Sequence, residues 1–157
     1  MTRIAVIGGG RIGEALIAGL LESGHAVRDL VVAEKYQSRA AELASTFGIL
    51  TASIADAAEN ADVIVVAVKP SDVDSVVTEI AKIDLDGEQE QLIVSLAAGV
   101  PTSKFEPKLP AGFPVVRVMP NTPMLVGEGV SVLAPGKYAK AEHIELVRTI
   151  LSSVGKV

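Results

Sequence analysis

A short apolar strand that breaks into a glycine turn and restarts as an amphipathic helix leaves a chain few folds to adopt. Residues 4–20 read that way. Ile4-Ala5-Val6-Ile7 runs into Gly8-Gly9-Gly10-Arg11-Ile12-Gly13, and Ile12, Ala15, Leu16, Gly19 and Leu20 then recur at helical spacing. Gly8, Gly10 and Gly13 make G-x-G-x-x-G. In such a turn the first glycine permits the tight bend, the second lets the backbone approach a pyrophosphate, and the third lets the helix pack close to the strand. The helix N-terminus offers free N–H groups and partial positive charge to phosphates. The motif alone also fits a plain turn; strand before and helix after favour a dinucleotide site.

The rest of the chain repeats the alternation. After a strand over Arg3–Ile7 and a helix over Arg11–Ser23, a strand is expected over Leu30–Ala33 and a helix over Gln37–Phe47. A short strand over Ile49–Thr51 and a small helix over Ile54–Glu59 precede a buried strand over Val63–Val68 and a helix over Ser71–Ile83. A polar turn over Asp84–Gln91 leads to a strand over Leu92–Leu96, a short helix from Thr102, a strand over Val115–Met119, an apolar strand over Gly129–Leu133 and a helix over Ala139–Ser153. Hydrophobic residues are 49% of the chain but aromatics only 3%, so the core is built from Ala, Val, Ile and Leu, as in a parallel sheet covered on both faces. The expected fold is α/β, a Rossmann-type, doubly wound, mostly parallel sheet with helices on both faces. Residues 1–157 read as one dinucleotide-binding domain. Gly155 reads as a helix C-cap and Lys156-Val157 as the start of another strand, so the sequence is expected to continue.

Charge and composition exclude several functions. A net charge of −5 with no Lys/Arg cluster argues against a nucleic-acid partner. With no cysteine there is neither a disulfide nor a thiolate metal site, and no metal is expected. There is no charged leader with a hydrophobic core, and no apolar run of membrane-spanning length. A soluble, cytoplasmic protein is the expectation.

Four strand ends carry distinctive residues: the glycine turn, Ala67-Val68-Lys69-Pro70, Ser95-Leu96-Ala97-Ala98-Gly99, and Met119-Pro120-Asn121-Thr122-Pro123. In a doubly wound sheet these ends line one edge, where a dinucleotide lies. Ala97, Ala98 and Gly99 leave room for a flat ring. Pro120 and Pro123 hold Asn121 and Thr122 with little freedom. Lys69 either faces a carboxylate or points to solvent. Glu34 stands about 20 residues after Gly13, where an acid binds a ribose 2′-hydroxyl and favours NADH; Lys35 and Arg39 flank it and could clamp a 2′-phosphate. Both NAD(H) and NADP(H) stay open. His25 and His143 read as solvated rather than catalytic.

Gly8-x-Gly10-x-x-Gly13 with Glu14-Ala15-Leu16, Ala67-Val68-Lys69-Pro70, Ser95–Val100 and Arg117–Pro123 together resemble pyrroline-5-carboxylate reductase, in order and spacing, over essentially the whole chain. Arg11-Ile12 stand where that family often has Asn-Met, and Ile54 where it often has an Asn. The resemblance implies reduction of 1-pyrroline-5-carboxylate to L-proline by NADPH or NADH, the last step of proline synthesis. It also implies a helical second domain, absent from these residues, that makes a homodimer or higher homo-oligomer and much of the substrate pocket. The cofactor-binding set implied is Gly8, Gly10, Arg11, Ile12, Gly13, Glu34, Lys35, Arg39, Ala67, Val68, Lys69, Pro70, Ala97, Ala98, Gly99 and Asn121. Lys69, Asn121 and Thr122 are candidates for positioning substrate or nicotinamide, with no catalytic residue assigned. Hydride transfer to an imine needs positioning and a cofactor, with no nucleophile or metal. The alternatives are another reductase of this architecture (an F420-dependent NADP reductase, an imine reductase or a 3-hydroxyacid dehydrogenase) or a non-catalytic dinucleotide-sensing module.

Overall fold

Ile4–Ile7 forms β1, and every residue of it is buried. In the computed structural model, which describes residues 3–8, 11–22, 24–59, 61–81, 91–96, 100, 104–105, 109, 113–119, 129–130, 132–135, 140–151 and 155–156, β1 is an interior strand of the main sheet of a three-layer α/β fold. The elements that follow are α1 (Arg11–Glu22), β2 (Leu30–Ala33), α2 (Gln37–Phe47), β3 (Leu50–Thr51), α3 (Ile54–Glu59), β4 (Val63–Val66), α4 (Val73–Ala81), β5 (Leu92–Ser95), β6 (Val115–Met119), β7 (Gly129–Val130), β8 (Val132–Pro135), α5 (Ala141–Leu151) and β9 (Gly155–Lys156). The main sheet has the order β3-β2-β1-β4-β5-β6-β8. Its first six strands run parallel; β8 lies antiparallel to β6. This is the doubly wound arrangement expected from the sequence.

Strands buried on both faces explain the near-continuous Val/Ile/Leu runs. On one face Val6, Val32, Val65, Val94 and Val116 meet Leu16, Ile17 and Leu20 of α1, Leu43 of α2, and Val147 and Ile150 of α5. On the other, Ile7, Ala33, Val66, Ile93 and Val115 meet Ala57 and Ala58 of α3 and Val73, Val76, Val77 and Ile80 of α4, with Phe105 and Leu109. Hydrogen bonds finish the ends. Gln91 is not part of a solvated turn: it is buried, and its Nε2 donates to the carbonyls of Ala58 and Ala61, both at 2.8 Å, closing the end of α3. His143 caps α5, its Nδ1 accepting from the Lys140 N–H at 2.9 Å. His25 is half-buried, with its Nε2 shielded from solvent, against the expectation of a solvated side chain.

Other boundaries differ from expectation. β4 stops at Val66, and a 3-10 turn over Pro70–Asp72 precedes α4, because Pro70 sets the φ of a first turn but holds Lys69 extended before it. The single strand expected over Gly129–Leu133 is two: β7 pairs with β9 in a small parallel sheet, and β8 joins the main one. Gly155 lies in β9 rather than capping a helix. The short helix from Thr102 falls largely outside the described residues.

Candidate functional site

The strand registers align the carboxyl ends. Ile7 stands level with Ala33 on one side and Val66 on the other, Val66 with Ser95, and Ser95 with Arg117. From β1 the chain winds outward to β2 and β3 on one side and later to β4 and β5 on the other. The ends of β1, β2 and β4 therefore diverge at a switch point, where such sheets open a crevice. A cleft of about 560 Å³ lies there.

Gly8 forms its floor. Its φ is +100°, its N–H donates to the Ala33 carbonyl at 2.7 Å, and the neighbouring Ala67 N–H donates to Ile7 at 2.8 Å. A Cβ on Gly8 would stand 2.7 Å from the Ala67 carbonyl oxygen and 2.9 Å from Val68 Cγ1. A Cβ on Gly13 would run into the Gly8 carbonyl. The turn is thus pressed backbone to backbone onto the end of β4 and onto α1, leaving the cleft side to a ligand.

Charged residues ring one end. Glu34 follows β2, and its Oε1 accepts from the Tyr36 N–H at 3.2 Å. Lys35 reaches across to Asp72, in the turn after β4, at 3.6 Å, with its ammonium 5.1 Å from the centre of the Tyr36 ring. Asp72 first, then Tyr36, holds the Lys35 ammonium above its ordinary pKa; the pair is solvated and adds little stability. Arg39, in the first turn of α2, donates through one terminal nitrogen to Glu14 and through the other to Glu42, both at 3.0 Å. Its Glu14 hydrogen bond chiefly raises its pKa further.

Gly8, Glu34, Lys35, Arg39, Ala67, Val68 and Lys69, scattered in the sequence, line this one cleft. Gly13 is buried behind the turn, and Pro70 is exposed beside it. Arg11 and Ile12 belong to the first turn of α1, with side chains outside the described residues; Gly10, Ala97, Ala98, Gly99, Asn121 and Thr122 also fall outside them. Tyr36 and Asp72 are cleft residues that sequence reasoning missed. For Tyr36 a signal existed: it is one of two tyrosines and directly follows Glu34-Lys35. Ile54, standing where an Asn was expected, lies in the apolar wall with Ile7 and Ala33.

This arrangement suits an adenosine diphosphate. Ile7, Ala33 and Ile54 give the cleft an apolar lining, Glu34 brings a carboxylate to it, and the Gly8 turn brings backbone to it. Among the described residues no group of His, Cys, Asp or Glu is placed to hold a metal ion, and no helix is long and apolar enough to cross a membrane.

The family model for NADP oxidoreductase, coenzyme F420-dependent, matches residues 3–99. The chain belongs to this family. The pyrroline-5-carboxylate reductase of Mycobacterium tuberculosis is 50% identical over 160 residues, which cover 100% of this chain and 54% of that protein. Among solved structures, a pyrroline-5-carboxylate reductase from Coxiella burnetii superposes with a TM-score of 0.92 at 31% identity, covering 99% of this chain and 57% of that one. The Plasmodium falciparum pyrroline carboxylate reductase with NADP bound gives 0.79 at 26% identity, covering 99% and 56%. The chain spans about half the length of the curated relatives it matches.

Proposed function

We propose that this chain is the nucleotide-binding domain of a reductase that converts 1-pyrroline-5-carboxylate to L-proline with NADPH or NADH. The observation that carries the reading is 50% identity over the whole chain to a protein of that name, M. tuberculosis pyrroline-5-carboxylate reductase. The bound dinucleotide supplies the hydride. The chain's residues hold and orient it: Gly8, Gly10, Gly13 and the first turn of α1 at the pyrophosphate, Glu34 at the adenosine ribose with Lys35 and Arg39 lining the cleft nearby, and Ala67–Pro70 along the cleft. Ala97, Ala98 and Gly99 admit the nicotinamide, and Lys69, Asn121 and Thr122 orient it or the substrate. A helical second domain completes the substrate pocket and makes a homo-oligomer. The protein works in the cytoplasm on a small molecule, without nucleic acid or membrane.

A held acceptor matters because positioning is worth roughly 7–11 kcal/mol of barrier. Residues 1–157 are therefore expected to bind the cofactor without turning over. The test follows reduced-nicotinamide absorbance with pyrroline-5-carboxylate, using residues 1–157 beside a protein extended by whatever reading frame follows Val157. Turnover only by the longer protein supports the proposal; comparable turnover by residues 1–157 overturns its two-domain part. The family's description favours a second reading, hydride exchange between NADP and coenzyme F420. Activity of the longer protein with F420 but not with the imine would select it.

A further inference from the structure

We infer that Glu14 sets cofactor choice at this cleft, by drawing Arg39 away from the ribose position and leaving Glu34 as the group that meets it. The inference rests on the dinucleotide reading. Arg39 is well placed to serve a 2′-phosphate, since it lines the cleft from the first turn of α2, close after Glu34. Its guanidinium is already committed. One terminal nitrogen donates to Glu14 at 3.0 Å and the other to Glu42 at 3.0 Å, and the side chain is only 25% exposed. Glu42 lies on the same helix, one turn on. Glu14 comes from α1, just beyond the glycine turn, so it ties Arg39 to a different element.

Three carboxylates, Glu14, Glu34 and Glu42, thus converge on one guanidinium; Glu34 also acts on it through charge. Lys35, the neighbouring cation, is turned toward Asp72. Lys69, the third described cation lining the cleft, stands on the opposite wall after β4. A 2′-phosphate arriving at Glu34 would meet like charge, and would have to take Arg39 from two carboxylates that already hold it in charge-assisted hydrogen bonds. A 2′-hydroxyl meets neither obstacle: it brings no charge, and it is a donor to a carboxylate that can only accept. The charge arrangement favours NADH, and Glu14 maintains it without touching the cofactor.

Calorimetric titration of the chain with NADH and with NADPH tests this through the ratio of the two dissociation constants. The wild type is expected to bind NADH the more tightly. Glu14→Gln releases one side of Arg39 and is expected to move the ratio about tenfold toward NADPH, the scale of one charge-assisted hydrogen bond. In an Arg39→Gln background, Glu14→Gln is expected to leave the ratio where it was; a merely structural role would change both affinities together and show no such dependence on Arg39. Circular dichroism confirms that each variant folds. A wild type that prefers NADPH, or a Glu14→Gln ratio unchanged while both cofactors bind, overturns the inference. Binding of neither cofactor by the wild type would instead bring down the dinucleotide reading on which it stands.

Discussion

Two turns flank α1, and both use a glycine at φ +100°: Gly8 before the helix and Gly24 after it. Both φ values are ones that side-chain-bearing residues rarely adopt. The surroundings are opposite. A Cβ on Gly8 would press on the backbone of Ala67, whereas around Gly24 nothing lies within 4 Å. At the far turn the glycine only ends a helix: its N–H donates to Leu21 and that of His25 to Leu20, the paired bonds of a Schellman cap. At the near turn it ends a strand and packs against two others. Glycine at the amino edge of this sheet answers a conformational demand; at the carboxyl edge it answers that demand and a demand for space. Only the second leaves backbone facing a cleft.

Substitution separates the two demands. Gly8→Ala incurs strain and collision with main chain that cannot rotate aside, so it is expected to cost about 3 kcal/mol or more. On a chain of this size that lowers Tm by roughly 6–12 °C, read by thermal denaturation. Gly13→Ala meets the Gly8 carbonyl but gains helix propensity of about 1 kcal/mol, so the expected net loss is about 1–2 kcal/mol. Gly24→Ala carries strain alone, about 1 kcal/mol. Equal losses at Gly8 and Gly24 would break the comparison. Titration sharpens it: Gly8→Ala is expected to weaken NADH binding in whatever protein remains folded, and Gly24→Ala to leave binding unchanged.

How legible each part was in the sequence follows from how local its cause is. The glycine turn, the buried strands and the amphipathic stripe of α1 are written in adjacent residues, and they came out where expected. Glu34 was singled out by its distance from the turn and Arg39 by its nearness to Glu34, and both line the cleft. Pairing is not local: the apolar run at Gly129–Leu133 holds nothing that says which residues will join β6 and which β9. Asp72 was missed for a similar reason, since only the approach of the β2 and β4 ends brings it to Lys35. Gln91 looked like part of a polar turn because its partners, the carbonyls of Ala58 and Ala61, lie about 30 positions earlier. The nicotinamide end of the proposed site, Ala97–Gly99 and Asn121-Thr122, rests on sequence alone.

The interior place of β1 has a consequence for how the molecule comes to be made. The strand precedes β2 in the sequence, yet one of its two partners is β4, and Arg3 meets Asp62 across a separation of 59 positions. A nascent chain can pair β1 with β2 early, by closing a shorter loop. Until Val63–Val66 has been synthesised, the other side of β1 has no neighbour, and its amides and carbonyls face outward along an apolar strand. Such an edge accepts any strand that drifts past. Between the emergence of β2 and that of β4, then, the growing chain carries an open strand edge along β1, and each later strand on that side inherits it in turn.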